Sequence, residues 1–158
     1  MKLVSVGSSI GESNFHFVFT PKYRRDVFVD GKVREACLES FAETCYRLGV
    51  KMEACEFGPD HVHLFVSGCR KYSVPYMAQM FKGASSRKIR AELWDNVRGK
   101  LWGDSFWSDG YFYRSVGSTT AEAVQYYVEN SQRKHWMDYE ETKIMENEPA
   151  QIRLTDFI

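Results

Sequence analysis

Two histidines one residue apart, His61 and His63, are the side chains of this sequence best suited to chemistry. They lie in Gly58-Pro59-Asp60-His61-Val62-His63-Leu64-Phe65-Val66, which alternates as a half-buried strand does. Val62, Leu64 and Val66 fall on one face, and His61, His63 and Phe65 on the other. Residues at i and i+2 of a strand point the same way, so two imidazoles can converge on one cation. Pro59 and Asp60 form a turn directly before the pair, which places it at the start of the strand, near an edge open to solvent and substrate. Taken alone, the pair is weak evidence, because buried, hydrogen-bonded histidines without a metal give the same pattern.

Other chemically capable residues lie along the chain. His16 stands on the opposite face from Phe15, Phe17 and Phe19 in a second strand, in a structural or substrate-orienting role, and His135 reads as a surface residue. Lys22-Tyr23-Arg24-Arg25 sets three cations around an aromatic just past a strand end. That suits phosphate contacts with a base-stacking ring, and equally a solvated basic turn. Lys82, Arg87 and Lys88 make one helix cationic beside the small residues Gly83 to Ser86, where a nucleic-acid strand could approach closely or where water simply covers the charges.

The elements that position these residues follow from periodicity and caps. Phe15 to Phe19 is a strand ended by Pro21. A helix over about Val33 to Leu48 puts Val33, Cys37, Phe41, Cys45 and Leu48 on one face, with Gly49 closing it. Val50 to Phe57 is a strand that turns through Gly58-Pro59-Asp60 into the histidine strand. Ser73 caps a helix from Val74 to about Leu93, with Pro75 in its first turn. Phe106 to Val116 reads as a fourth strand broken at Asp109-Gly110, and Ala121 to Met137 as a last helix. Met1 to Ser13 is a loose arm or an edge strand. The order β-α-β-β-α-β plus a helix predicts an α+β, ferredoxin-like antiparallel sheet with helices on one face. The histidines belong on its open face.

Composition sets the frame. The chain has 158 residues, enough for one domain with a core. Aromatics at 15% are abundant, which thickens a core or supplies stacking surfaces. Net charge is zero, yet residues 1–137 hold 19 Lys and Arg against 15 Asp and Glu, while residues 138–158 hold two against six. A basic body over 1–137 and an acidic extension over 138–158 are therefore expected. Cys37, Cys45, Cys55 and Cys69 form no CxxC and read as reduced, mostly buried thiols. No apolar run suggests a membrane span or a signal peptide, so the expected location is cytoplasmic.

In order and spacing, the short motifs resemble the HUH-type, single-tyrosine transposases of the insertion-sequence 200/605 family. They are Phe17-Val18-Phe19-Thr20-Pro21-Lys22-Tyr23-Arg24-Arg25, Pro59-Asp60-His61-Val62-His63-Leu64, Phe81-Lys82-Gly83 with Ser85-Ser86, Tyr111-Phe112 with Gly117, and Tyr127-Val128-Glu129-Asn130. The resemblance implies that His61 and His63 hold Mg²⁺ or Mn²⁺ and that Tyr127, on the last helix, is the nucleophile. It further implies a 5′-phosphotyrosine link to single-stranded DNA, recognition of hairpins at element ends, and a homodimer. It also gives Lys22, Tyr23, Arg24, Arg25, Lys82, Arg87 and Lys88 a part in binding DNA.

One position departs from the family pattern. The third metal ligand is a Gln four residues after the tyrosine, on the same helix face. Here that position is Ser131, and Gln132 follows. Gln132 is taken as the ligand, with Ser131 or Asn130 as substitutes. Tyr126 is the competing nucleophile, otherwise a packing residue beside the sheet. Two rival readings remain: a domesticated HUH nuclease, and a non-catalytic ferredoxin-like module whose strand aromatics, Phe15 to Phe19, stack bases.

Overall fold

The alternating stretch around the two histidines forms the second strand of a four-stranded antiparallel sheet in the computed structural model of this chain. The structure describes residues 3–101, 103, 105–117, 126, 129–130, 133 and 135–140. In chain order the elements are β1 (Val4–Val6), β2 (Ser9–Gly11), β3 (Phe15–Phe19), α1 (Gly31–Leu48), β4 (Lys51–Gly58), β5 (His61–Ser67), α2 (Val74–Glu92), α3 (Trp94–Val97) and β6 (Phe112–Ser115). The sheet order is β4-β5-β3-β6, so β3 and β5, the first and third strands of the βαββαβ unit, are central. The expected ferredoxin-like α+β architecture is present. The N-terminal arm is an additional hairpin, β1 against β2.

Local chemistry explains the main elements. Asp30 caps α1 by accepting the Lys32 backbone N–H at 2.9 Å, and Gly49 ends it in the left-handed region at φ 71°. The Ser73 hydroxyl caps α2, accepting the Tyr76 N–H at 3.2 Å. Both helices pack on the face of the sheet that carries Phe17, Phe19, Val62, Leu64 and Val66, with Phe41, Met77, Phe81 and Ile89 filling the space between. Phe17 and Phe19 are fully buried there and Phe15 is half-buried, so these strand aromatics build the core. Cys37, Cys45 and Cys69 are buried free thiols and Cys55 is half-buried.

Two expectations about the sheet change. The regular fourth strand is only Phe112–Ser115; before the expected break at Asp109-Gly110 the chain keeps one antiparallel bridge beside the end of β3, Trp107 to Pro21. Phe106 and Trp107 are buried, the Lys22 N–H donates to the Phe106 carbonyl at 2.8 Å, and the Trp107 indole N–H donates to Ser85 Oγ at 2.9 Å. The face away from α1 and α2 is also not open. His61, His63, Phe65 and Val18 all lie on it with 0% exposure. Part of its cover is the C-terminal segment, where residues 135–140 are helical. Trp136 donates its indole N–H to the Phe57 carbonyl at 2.5 Å, and the Arg34 guanidinium lies 5.2 Å from the centre of the Trp136 ring. The Tyr139 hydroxyl bonds the Asp26 carboxylate, which Lys100 also holds at 2.9 Å. Tyr139, one residue into the expected acidic extension, is thus buried in the body. Residues 141–158, the rest of that extension, lie outside the described residues.

Candidate active site

The hairpin between β4 and β5 fixes the two histidines. Gly58 pairs with His61 across the Pro59-Asp60 turn, and Glu56 pairs with His63. The turn needs a glycine because the His61 ring sits over it: a Cβ at Gly58 would lie 1.9 Å from His61 Cε1. The His61 and His63 rings are 5.4 Å apart between centroids and nearly perpendicular, at 84°.

Each imidazole is held through Nδ1. His61 Nδ1 is 2.9 Å from Asp60 Oδ1, and His63 Nδ1 is 2.7 Å from His16 Nε2. A carboxylate only accepts, so the bond to Asp60 places a proton on His61 Nδ1 and, in the neutral imidazole, the lone pair on Nε2. This is how metal-binding histidines are usually oriented, with Nδ1–H given to an outer partner and Nε2 given to the metal. The donor set therefore fits a divalent cation held by two imidazoles. Among the described residues no three His, Cys, Asp or Glu side chains are grouped to hold a metal, so the pair requires a donor of another kind or from elsewhere.

Burial dominates the electrostatics. It holds His16 down to about 4 from the usual 6.5, with the Arg114 charge adding to the effect. It pushes His63 well below 6.5, helped by the neighbouring His61, His16 and His135. Both rings are thus neutral at pH 7, the form a metal ligand needs. Burial and the nearby Glu129 push the Glu56 carboxyl up.

Several residues near the pair were not singled out by sequence reasoning, or were placed differently. His135, expected at the surface, is half-buried and stands edge-on to His61 with ring centroids 6.0 Å apart. Arg24 is turned inward, its Nε 3.6 Å from Asp60 Oδ2. The turn is achieved by two successive residues at positive φ, Tyr23 at 60° and Arg24 at 52°. Such strain, about 1–3 kcal/mol per residue, clusters at functional sites. The sequence carried one signal for this, Asp60 next to His61.

The expected DNA-binding cations separate into two groups. Lys22, Lys82 and Arg87 gather on the helix side of the sheet. Lys22 Nζ is 3.8 Å from Asp109, and Lys82 donates to the Ser108 carbonyl at 2.7 Å. Arg87 is exposed and reaches over Gly83, where an added Cβ would meet its Nη1 at 3.3 Å. Beside them is an open cavity of about 480 Å³ lined by Lys82, Gly83, Ser86, Trp107, Ser108 and Tyr111, among others. Tyr23 projects outward, 61% exposed. Arg25 is half-buried. Lys88 instead bridges Glu39 of α1 at 3.5 Å and Glu92 at 3.3 Å.

The model of the IS200-like transposase family matches residues 9–131. This chain belongs to that family. Among curated relatives of this IS200-like transposase, the ISDra2 transposase TnpA of Deinococcus radiodurans is 29% identical over 120 residues, 76% of this chain and 84% of that protein. The transposase for insertion sequence element IS200 of Salmonella typhimurium is 32% identical over 112 residues, 71% of this chain and 72% of that one. A crystal structure of a candidate transposase from Deinococcus radiodurans superposes with TM-score 0.65 at 26% identity, covering 84% of this chain and 98% of that one. The REP-associated tyrosine transposase bound to a REP hairpin gives TM-score 0.59 at 11% identity over 80% and 71% of the two chains, a likeness of fold.

The last helix expected from the sequence, Ala121 to Met137, falls only partly within the described residues. Tyr127, Ser131 and Gln132 lie outside the described residues. Tyr126 is 69% exposed, so it is not the packing residue expected beside the sheet. Asn130 donates its side-chain amide to the Tyr126 carbonyl at 2.7 Å, a bond within one helical turn. No helix among the described residues is long and apolar enough to cross a membrane.

Proposed function

We propose that this IS200-like transposase cuts and rejoins single-stranded DNA with Tyr127 as the nucleophile and His61, His63 and Gln132 as ligands for Mg²⁺ or Mn²⁺. The observation that carries the metal half is the His61 Nδ1 bond to Asp60, which turns Nε2 toward ligation, with His63 held beside it through its own Nδ1. When bound, the cation polarises a non-bridging oxygen of the scissile phosphate. The Tyr127 oxygen attacks phosphorus, the bond to the 3′ oxygen breaks, and the strand leaves as a free 3′-OH. The phosphate stays on Tyr127 as a 5′-phosphotyrosine. Bond energy is retained in that link, so attack by another 3′-OH rejoins DNA without ATP. A tyrosine hydroxyl, with a pKa near 10, needs this assistance at neutral pH.

DNA reaches the molecule through charge. Lys22, Lys82 and Arg87 offer phosphate contacts around the 480 Å³ cavity, and Tyr23 offers an exposed ring for stacking. Arg24, Arg25 and Lys88 are secondary contacts, because Arg24 faces Asp60 and Lys88 is already paired with Glu39 and Glu92. The hairpin bound by the REP-associated relative supports hairpins at element ends as the ligand. The working assembly is a homodimer, and the natural location is the cytoplasm.

The test is a denaturing gel of protein incubated with labelled single-stranded DNA bearing the element ends and Mn²⁺. A covalent adduct is expected, and both Tyr127→Phe and His61→Ala abolish it. An adduct that survives Tyr127→Phe and disappears with Tyr126→Phe would move the nucleophile by one residue.

A further inference from the structure

His61 and His63 are oriented by chemically different partners, and the difference assigns a role to His16. Asp60 only accepts, so His61 has no choice of tautomer. His16 is another imidazole, and an imidazole nitrogen either donates or accepts. The 2.7 Å contact between His16 Nε2 and His63 Nδ1 is one hydrogen bond and holds one proton. If His16 Nε2 is the donor, His63 accepts on Nδ1, carries its own proton on Nε2, and cannot ligate through Nε2. If His16 Nε2 is the acceptor, His63 carries its proton on Nδ1 and presents the Nε2 lone pair. From this geometry we infer that His16 is a positioning residue, which accepts from His63 Nδ1–H and so holds His63 in its metal-binding tautomer. The inference rests on the proposed metal role of His63.

The fold holds His16 for this task. It sits on the central strand β3, two residues before Val18, whose register partner is His63. Both side chains therefore rise on the same face, one diagonal step apart. The two rings lie side by side and close to coplanar, 22° between planes with centroids 5.0 Å apart, as a bond in the ring planes requires, and Phe112 of β6 stands edge-on to His16 at 6.3 Å and 79°. With 5% exposure, His16 has little room to turn. It touches neither DNA nor cation in this role and acts only through His63.

The experiment has a metal-free arm and a metal arm. In the metal-free protein labelled with ¹⁵N-histidine, NMR should find His63 protonated at Nδ1 and bare at Nε2. His16→Gln keeps an acceptor at the Nε2 position and should preserve that tautomer, whereas His16→Leu should mix it or switch it. In Mn²⁺ titrations followed by electron paramagnetic resonance, His16→Leu should bind about 10–100-fold more weakly, the usual loss for an outer-shell partner. His16→Gln should stay close to wild type. A His63 proton found on Nε2, or Mn²⁺ affinity unchanged in folded His16→Leu, overturns the inference. Should His16→Leu fail to fold by circular dichroism, the wild-type and His16→Gln tautomers decide it. If the wild type binds no Mn²⁺ through His61 and His63, the metal reading fails, and the inference fails with it whatever tautomer is found.

Discussion

At Gly58 there is no space for even one added carbon. An alanine Cβ would stand 1.9 Å from His61 Cε1 and 2.5 Å from Nε2, so the ring has to move. Gly58→Ala is expected to cost about 1–3 kcal/mol as an overpacked site, and to weaken Mn²⁺ binding more than its stability loss explains. Paired denaturation and Mn²⁺ titration measure both; unchanged Mn²⁺ affinity would mean that the His61 ring does not face a cation. Burial of His16 makes a second prediction. An unfolded histidine titrates near 6.5, and His16 in the fold near 4. Between those values the unfolded chain takes up a proton that the folded chain refuses. Stability from this group is complete above about pH 6.5 and is lost as pH falls toward 4, a loss of roughly 3 kcal/mol. His63 is shifted in the same direction. Denaturant melts of the metal-free protein at several pH values test it: His16→Gln should flatten the dependence between pH 6.5 and 4.5, and an equally steep dependence would contradict it.

The elements differ in how readable they were. β3, α1, β5 and α2 announce themselves through alternation, helical spacing and the caps Gly49 and Ser73, because each signal is local; α1 starts two residues earlier than its spacing shows, at Gly31 behind Asp30. What was not legible depends on partners far apart in sequence. The His16–His63 bond joins residues 47 positions apart and exists only in the β3–β5 register. Arg24 looks like one more cation of a basic turn until the positive φ of Tyr23 and Arg24 swings it toward Asp60. His135 is polar on a helix and reads as solvated, yet the helix lies across the hairpin end where His61 sits. Phe106 and Trp107 look β-prone, and they do run beside the end of β3, but that pairing is a single bridge and their rings fill the core. The C-terminal segment yields its own prediction. Trp136 and Tyr139 tie residues 135–140 to β4, α1 and Asp26. Trp136→Ala, losing a half-buried ring and its hydrogen bond, should cost about 2 kcal/mol of docking energy. Limited proteolysis should then cut after Gly117 sooner while the sheet domain survives, whereas simultaneous loss of both would make the segment part of one cooperative core.

At the scale of the molecule, the paired histidines and the exposed cations are separate features. The histidine face is buried and hydrogen-bonded, whereas Lys22, Lys82 and Arg87 lie on the helix side. DNA affinity should therefore fall steeply with salt, and Lys82→Ala should lower the slope of log affinity against log salt by about one contact. Lys88→Ala, which breaks pairs with Glu39 and Glu92, should leave the slope nearly unchanged. Equal effects of the two variants would contradict the division of the cations. The covalent step is measured most directly by mass spectrometry of the peptide cross-linked to DNA. Protein is reacted with single-stranded DNA and Mn²⁺, digested with nuclease and protease, and fragmented to locate the nucleotide. The expected product is a nucleotide attached through its 5′ phosphate to Tyr127. A nucleotide on Tyr126, a 3′-phosphate link, or no cross-linked peptide from a reaction that has cut its DNA would contradict it.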